Sequence, residues 1–137
     1  MERLLLRGEF EHTLDPKGRV TLPARYRDYF SSGAVLVRFP DGQPCLCVFH
    51  PDSWDEFDKK YIEPLDVFKN EADDWHTRRL YRNQDEVEPD RQGRVLIPAQ
   101  RIKDLGLSGK VKILGVRTHL EIWNPETLAG LDEERGR

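Results

Sequence analysis

The chain has 137 residues, a formal net charge of −3 and 34% charged residues, a charged share above the typical ~25%. That length holds one ordinary domain or two small intertwined ones, and halves of roughly 60–70 residues are marginal alone, so they are expected to pack on each other. The opening MERLLLRGEF has three consecutive leucines, too few for a signal-peptide core or a membrane span, which makes the cytoplasm the default expectation.

In chain order, loose alternation from Glu9 to Leu14 predicts a half-buried strand. Asp15-Pro16-Lys17-Gly18 has type I turn chemistry, with Gly18 left-handed, and a return strand from Arg19 to Leu22 completes a hairpin. Pro23 opens a short helix with Tyr26, Tyr29 and Phe30 on one face and Gly33 as its stop. A second hairpin follows, Ala34 to Phe39 and Cys45 to Phe49. Pro51 opens a helix carrying Trp54, Phe57 and Tyr61, and Pro64 breaks it. A further helical stretch runs to about Arg82, with Leu65, Phe68, Ala72 and Trp75 as an apolar stripe expected in the core. The pattern then restarts: strand, turn at Asp90 to Gly93, strand, short helix to Gly106, hairpin strands, and a helix opened by Asn124-Pro125-Glu126. The charged tail from Asp132 is expected to fray. The predicted order is ββαββαα followed by ββαββα.

The restart is a duplication. DPKGRVTLPA at 15–24 matches DRQGRVLIPA at 90–99 in six of ten positions, and LCVFHPDSW from Leu46 aligns with LEIWNPETL from Leu120. Two copies of one unit duplicate any site built on it. Residues 16–27 carry Lys17, Arg19, Arg25 and Arg27 without an acid, and residues 91–103 carry Arg91, Arg94, Arg101 and Lys103 without an acid. The negative charge gathers between Asp52 and Asp74. An acidic chain with two basic patches binds phosphate locally, although two ordinary solvated faces fit the same charges.

An arginine just after a hairpin turn sits at the tip of a two-stranded ribbon, a shape that enters the major groove of DNA, where the guanidinium fork matches guanine O6 and N7. Asp15 and Asp90, four residues before Arg19 and Arg94, are placed to hold that fork and cap the turn. Lys17 and Arg91 at the tips would reach phosphates. A single such pair is as well explained by an ion pair that fixes the turn; two equivalent pairs in basic contexts favour recognition.

Enzyme patterns are missing: there is no phosphate-binding Gly-rich loop, no HExxH and no nucleophile in a known setting. Cys45 and Cys47 with His50 nearby resemble a soft-metal fragment, but no second Cys/His pair has zinc-like spacing, so no metal site and no cofactor is expected. His50 aligns with Asn124, which makes it a helix-opening residue. Two alternatives stay open: a toxin-neutralising interaction module of swapped hairpins, without DNA readout, and a small metalloenzyme using Cys45, Cys47 and His50.

RGEFEHTLDPKGRVTLPARYR and DRQGRVLIPA closely resemble the MraZ family of bacterial transcriptional regulators, over Arg7 to about Leu128. The resemblance implies an α+β, β-rich fold: two SpoVT/AbrB-like swapped-hairpin units, residues 7–54 and 84–128, forming a pseudo-two-fold β-barrel with flanking helices and a helical bridge at 55–83. It implies a repressor without enzyme activity, cytoplasmic and nucleoid-associated. Its implied partners are double-stranded DNA and further copies of itself in a ring-like homo-oligomer, with no membrane and no small-molecule substrate. The implied target is short G-rich direct repeats upstream of the cell-division and cell-wall gene cluster. The implied DNA-contacting element maps onto Asp15 with Arg19 and Asp90 with Arg94; the turn residues Lys17, Gly18, Arg91 and Gly93 complete the candidate site.

The copies differ. Glu88-Pro89 replaces Thr13-Leu14, and Pro89 belongs at an edge or a strand end. Lys17 is matched by Gln92, with Arg91 supplying the charge one place earlier, so the second hairpin is expected to bind differently or to serve assembly. Pro16 stiffens the first turn, which ranks Arg19 above Arg94 in binding.

Overall fold

The structure is a computed structural model and describes residues 4–136. Strand β1 (Leu6–Thr13) is followed by β2 (Arg19–Thr21), a 3-10 turn at Ala24–Tyr26, β3 (Ala34–Val37) and β4 (Leu46–Phe49). Helix α1 (Pro51–Phe57) continues into a π-helical turn at Asp58–Ile62, and α2 (Glu71–Tyr81) closes the bridge. The second copy supplies β5 (Gln84–Val87), β6 (Arg94–Leu96), α3 (Ala99–Leu105), β7 (Lys110–Arg117), β8 (His119–Trp123) and α4 (Pro125–Glu134). The fold is thus mixed α+β and rich in hairpins, as the repeat pattern leads one to expect.

Strand pairing departs from two self-contained hairpins. A six-stranded antiparallel sheet runs β1-β7-β8-β4-β3-β5, and β2 pairs with β6 in a separate two-stranded ribbon. β1 of the first copy therefore lies on β7 of the second, and β5 of the second lies on β3 of the first. Among the described residues a single bridge, Leu14↔Val20, links the end of β1 to β2. The copies exchange strands, but the sheet does not close into a barrel: β1 and β5 are its two edges and do not pair with each other.

Two pairs join equivalent positions of the repeats, Val20 with Val95 and Cys47 with Glu121. They mark a pseudo-two-fold axis through the ribbon and the centre of the sheet.

Period-two alternation sorts the sheet into two faces. Leu36, Leu46, Val48, Leu120 and Ile122 pack with Val20 and Val95 of the ribbon and with Phe30 and Leu105. Val35, Val37, Cys47, Phe49 and Trp123 pack on the other side with Trp54 of α1, with Ile62 and Leu80 from the helical bridge, and with Leu128 and Leu131 of α4. Arg101 and Tyr26, equivalent positions by the 75-residue offset, each pin a strand of their own copy. Tyr26 Oη accepts from the Arg7 amide at 2.9 Å and donates to the Arg7 carbonyl at 3.0 Å. Arg101 Nε donates to Asp85 Oδ2 at 3.1 Å.

Several expected elements change. The helix after Pro23 shrinks to one 3-10 turn, although Tyr26 and Phe30 are buried as the pattern required. The stretch from Leu65 is not helical until Glu71, because Asp66 Oδ1 accepts from the Phe68 and Lys69 amides and Asn70 caps α2 by accepting from the Asp73 amide. Such side chains compete with a continuing helix. The expected core stripe is consequently lost: Phe68 is 97% exposed and Trp75 46%. At the other end α4 runs on to Glu134 instead of fraying from Asp132. Pro89 falls two residues beyond β5, an edge strand, where its missing donor costs nothing.

β1 and β7 approach closely at Gly8 and Gly115, which face each other. A β-carbon at Gly115 would fall on the Arg7 backbone, which cannot swing aside as a side-chain tip could. Gly115→Ala is expected to lower unfolding stability by about 1–3 kcal/mol through overpacking. Urea denaturation tests it, and an unchanged midpoint would argue against the exchanged pairing of β1 with β7.

Candidate nucleic-acid interface

The two turns have the same construction. The Gly18 amide donates to the Asp15 carbonyl at 3.0 Å and the Gly93 amide to the Asp90 carbonyl at 2.9 Å. Both glycines are left-handed, with φ 83° and 76°, a region where a β-carbon is strained. Asp15 Oδ1 accepts from the Lys17 and Arg19 amides, and Asp90 Oδ1 from the Gln92 and Arg94 amides. The second carboxylate oxygen of each takes the arginine Nε, at 2.8 Å in the first turn and 2.7 Å in the second. One carboxylate thus caps the turn and aims the guanidinium, as the four-residue spacing suggested.

The register decides where the arginines point. Arg19 faces Leu96, Val20 faces Val95 and Thr21 faces Arg94. Val20 and Val95 are fully buried, so Arg19, Thr21, Arg94 and Leu96 share the outer face of one ribbon. Arg19 and Arg94 are diagonal neighbours across it, a relation that sets the residues about 7–8 Å apart. The sequence led us to expect two separate tips; instead the exchange of β2 and β6 brings both arginines onto a single surface. Their side chains are equally accessible, at 29% each. With Nε held by aspartate, the terminal amino groups make no hydrogen bond among the described residues.

Lys17 and Arg91 are exposed beside the turns, while Gly93 is buried and Gly18 half-buried. The difference arises from crossed packing. Arg27 of the first copy lies over Gly93, and Ile102 of the second lies near Gly18. Arg27 Nε donates to the Leu22 carbonyl at 3.1 Å, which holds the guanidinium there. The second turn therefore gains a cation from the other repeat, a contribution that no local pattern could reveal. Arg101 goes the opposite way. It belongs to the basic stretch by sequence, yet it is 7% exposed and bound to Asp85, Asn83 and the Arg82 carbonyl. It is structural and does not contribute to the cationic surface.

The Asp15 and Asp90 carboxyls are held below the ordinary aspartate range, chiefly by the Arg19 and Arg94 amides; desolvation, the next largest effect, opposes them, and the guanidinium bond and the Lys17 or Gln92 amide add to the lowering. A depressed folded-state value means that this contribution is present above the unfolded aspartate value of about 3.9 and is lost as pH falls through the lower folded value. The turns should therefore stay intact at pH 4. A carboxyl NMR titration in which Asp15 shows an ordinary midpoint would contradict the caps.

His50 serves as the helix-opening residue anticipated from its alignment: its Nδ1 accepts from the Asp52 amide at 3.0 Å, as Asn124 Oδ1 accepts from Glu126 and Thr127. The residue brought to the buried Cys45 and Cys47 is Glu121 from the neighbouring strand, not His50.

Fold and site together define a duplicated, strand-exchanged protein that displays paired arginines on one ribbon. The family model described as "MraZ protein, putative antitoxin-like" matches residues 5–75 and 80–134, and the chain belongs to this family. Relatives called "Transcriptional regulator MraZ" include that of Thermomicrobium roseum, 36% identical over 92% of this chain and 86% of its own. The protein of that name from Roseiflexus castenholzii is 37% identical over 86% of this chain and 80% of its own. The one from Caldanaerobacter subterraneus is 36% identical over 89% and 82%.

Proposed function

We propose that this chain is a sequence-specific, double-stranded-DNA-binding transcriptional regulator, a repressor acting on short G-rich direct repeats upstream of the division and cell-wall gene cluster. The observation that carries the reading is the common outer face of Arg19 and Arg94, each anchored at Nε by its aspartate. A two-stranded ribbon fits the major groove, and an anchored guanidinium with free terminal amino groups suits the O6 and N7 edge of guanine. Gly18 and Gly93 shape the turns, and Lys17, Arg91 and Arg27 meet phosphates. A protection footprint on the DNA upstream of the chain's own gene tests the proposal; uniform, sequence-independent protection would sink it.

The phosphate role gives a separate expectation. Lys17→Ala should weaken all sequences alike and reduce the slope of log affinity against log salt by about 0.9. Binding isotherms at several salt concentrations read this directly, and an unchanged slope would remove Lys17 from the interface.

The wider proposal takes residues 7–54 and 84–128 as two SpoVT/AbrB-like units arranged as a barrel-like pair, with 55–83 as a bridge. The exposed Phe68, Trp75 and Tyr61 of that bridge are apolar surface suited to a second copy of the chain, which supports a ring-like homo-oligomer. Cytoplasmic, nucleoid-associated placement goes with a DNA target, and among the described residues no helix is long and apolar enough to cross a membrane. The proposal includes no catalysis, cofactor or small-molecule substrate. A second reading, a toxin-neutralising module, draws on the words "antitoxin-like" in the family description; a size shift on adding cell extract, without DNA affinity, would favour it.

A further inference from the structure

On the sheet face opposite the arginine ribbon, the pseudo-two-fold axis passes between Cys47 and Glu121. Residues two apart on a strand share a face. His119 therefore joins Glu121 on β8, and Cys45, just before β4, is buried in the same cluster as Cys47. By the alignment of Leu46 with Leu120, Cys45 corresponds to His119 and Cys47 to Glu121. Each repeat thus brings two metal-ligating residue types to one spot from equivalent positions.

We propose that Cys45, Cys47 and Glu121 form a binding site for a thiophilic divalent cation, with Zn2+ the best fit, and that His119 positions Glu121 within it. The two Sγ atoms and a Glu121 carboxylate oxygen lie within 4.8 Å of one another. Zinc bonds of about 2.0–2.3 Å in a tetrahedron set ligand atoms roughly 3.3–3.8 Å apart, so a contraction of about 1 Å closes the set and leaves a fourth position for water. The cysteines are 3% and 4% exposed within an otherwise apolar cluster. A carboxylate is costly among such neighbours unless it is held. Glu121 is held on both oxygens: Trp123 Nε1 donates to Oε1 at 2.9 Å, and His119 Nε2 lies 3.3 Å from Oε2. His119 Nδ1 is 3.0 Å from Thr118 Oγ1. If that hydroxyl donates to Nδ1, Nε2 carries the proton towards Glu121, the usual outer-shell relation around a metal.

The charges suit a dication. Two thiolates and a carboxylate sum to −3, the cation brings +2, and Arg38 is the cation whose field acts on Cys47. A thiol gives up its proton when it becomes a metal ligand. Loading is therefore an exchange in which two S–H protons leave as two metal–sulfur bonds form, with no change of oxidation state.

The test is a titration of the reduced, chelator-treated full-length chain with Zn2+ by calorimetry in two buffers, and with Co2+ by absorption. The expected result is one Zn2+ per chain, about two protons released, and sulfur-to-cobalt charge-transfer bands in the near ultraviolet. The Cys45→Val/Cys47→Val double variant, which keeps the site apolar, should lose both signals while its circular dichroism is unchanged. His119→Ala should weaken binding about 10–100-fold. Failure of the wild-type chain to bind at one equivalent overturns the proposal. So does Co2+ binding without charge-transfer bands, or Zn2+ binding that survives in the double variant. None of these readouts involves DNA, so the result stands apart from the regulator reading.

Discussion

Arg19→Ala should weaken operator binding by about 1–3 kcal/mol, roughly 5- to 150-fold, and relax the preference for guanine at the base it faces. The argument begins with the turn. Asp15 fixes Nε at 2.8 Å, so the fork is aimed before DNA arrives and little rotamer freedom is lost on binding. Truncation removes both the fork and its preorganisation. Arg94→Ala should act in the same direction, because its anchor and exposure match. Pro16 stiffens the first turn, so Arg19 is expected to show the larger loss; Arg27 packed over Gly93 is the opposing influence. The double variant measures whether the two arginines, diagonal neighbours on one ribbon, act independently. Fluorescence anisotropy at a single salt concentration compares all three. Unchanged affinity and base preference in Arg19→Ala would exclude direct readout, whereas a larger loss for Arg94→Ala would reverse only the ranking.

A DNA probe bearing one operator repeat should bind about 10²–10⁴-fold more weakly than one bearing several at natural spacing. One ribbon three residues long per strand offers few base contacts. Linking ribbons on one particle turns each later contact into an intramolecular step with a high effective concentration. The expectation therefore requires an assembly much larger than 16.1 kDa, with the exposed Phe68 and Trp75 covered in it. Light scattering that gave a monomer at working concentration would defeat it, as would equal affinity for one repeat and for several.

The turns were legible because their chemistry is local: an aspartate, a left-handed glycine and an arginine four residues on carry the geometry within five positions. Strand partners were not legible in the local pattern; exchange entered only as what the family resemblance implies. β2 could pair back with β1 or across with β6, and the choice depends on contacts some 75 residues away, which leave no periodic mark. The same distance hid Arg27 over Gly93, and it made Arg101 look like a surface cation when Asp85 and Asn83 enclose it. Leu65, Phe68, Ala72 and Trp75 have helical spacing, but the side-chain turns of Asp66 and Asn70 break the helix that the spacing assumes. Cys45 and Cys47 were read against His50 because it is near in sequence; cross-strand register put Glu121 there instead.

The exchange of strands also orders events during synthesis. β1 leaves the ribosome long before β7, the strand it pairs with, and Lys112 meets Glu9 across 103 positions. β2 thus lacks its partner until Leu96 has been made and β1 until Arg117 has; such distant pairings form slowly and expose edges meanwhile. A product terminated before β6 has Arg19 but no ribbon to display it. Chains that end before Leu96 consequently lack the paired-arginine face on which the proposed DNA binding rests.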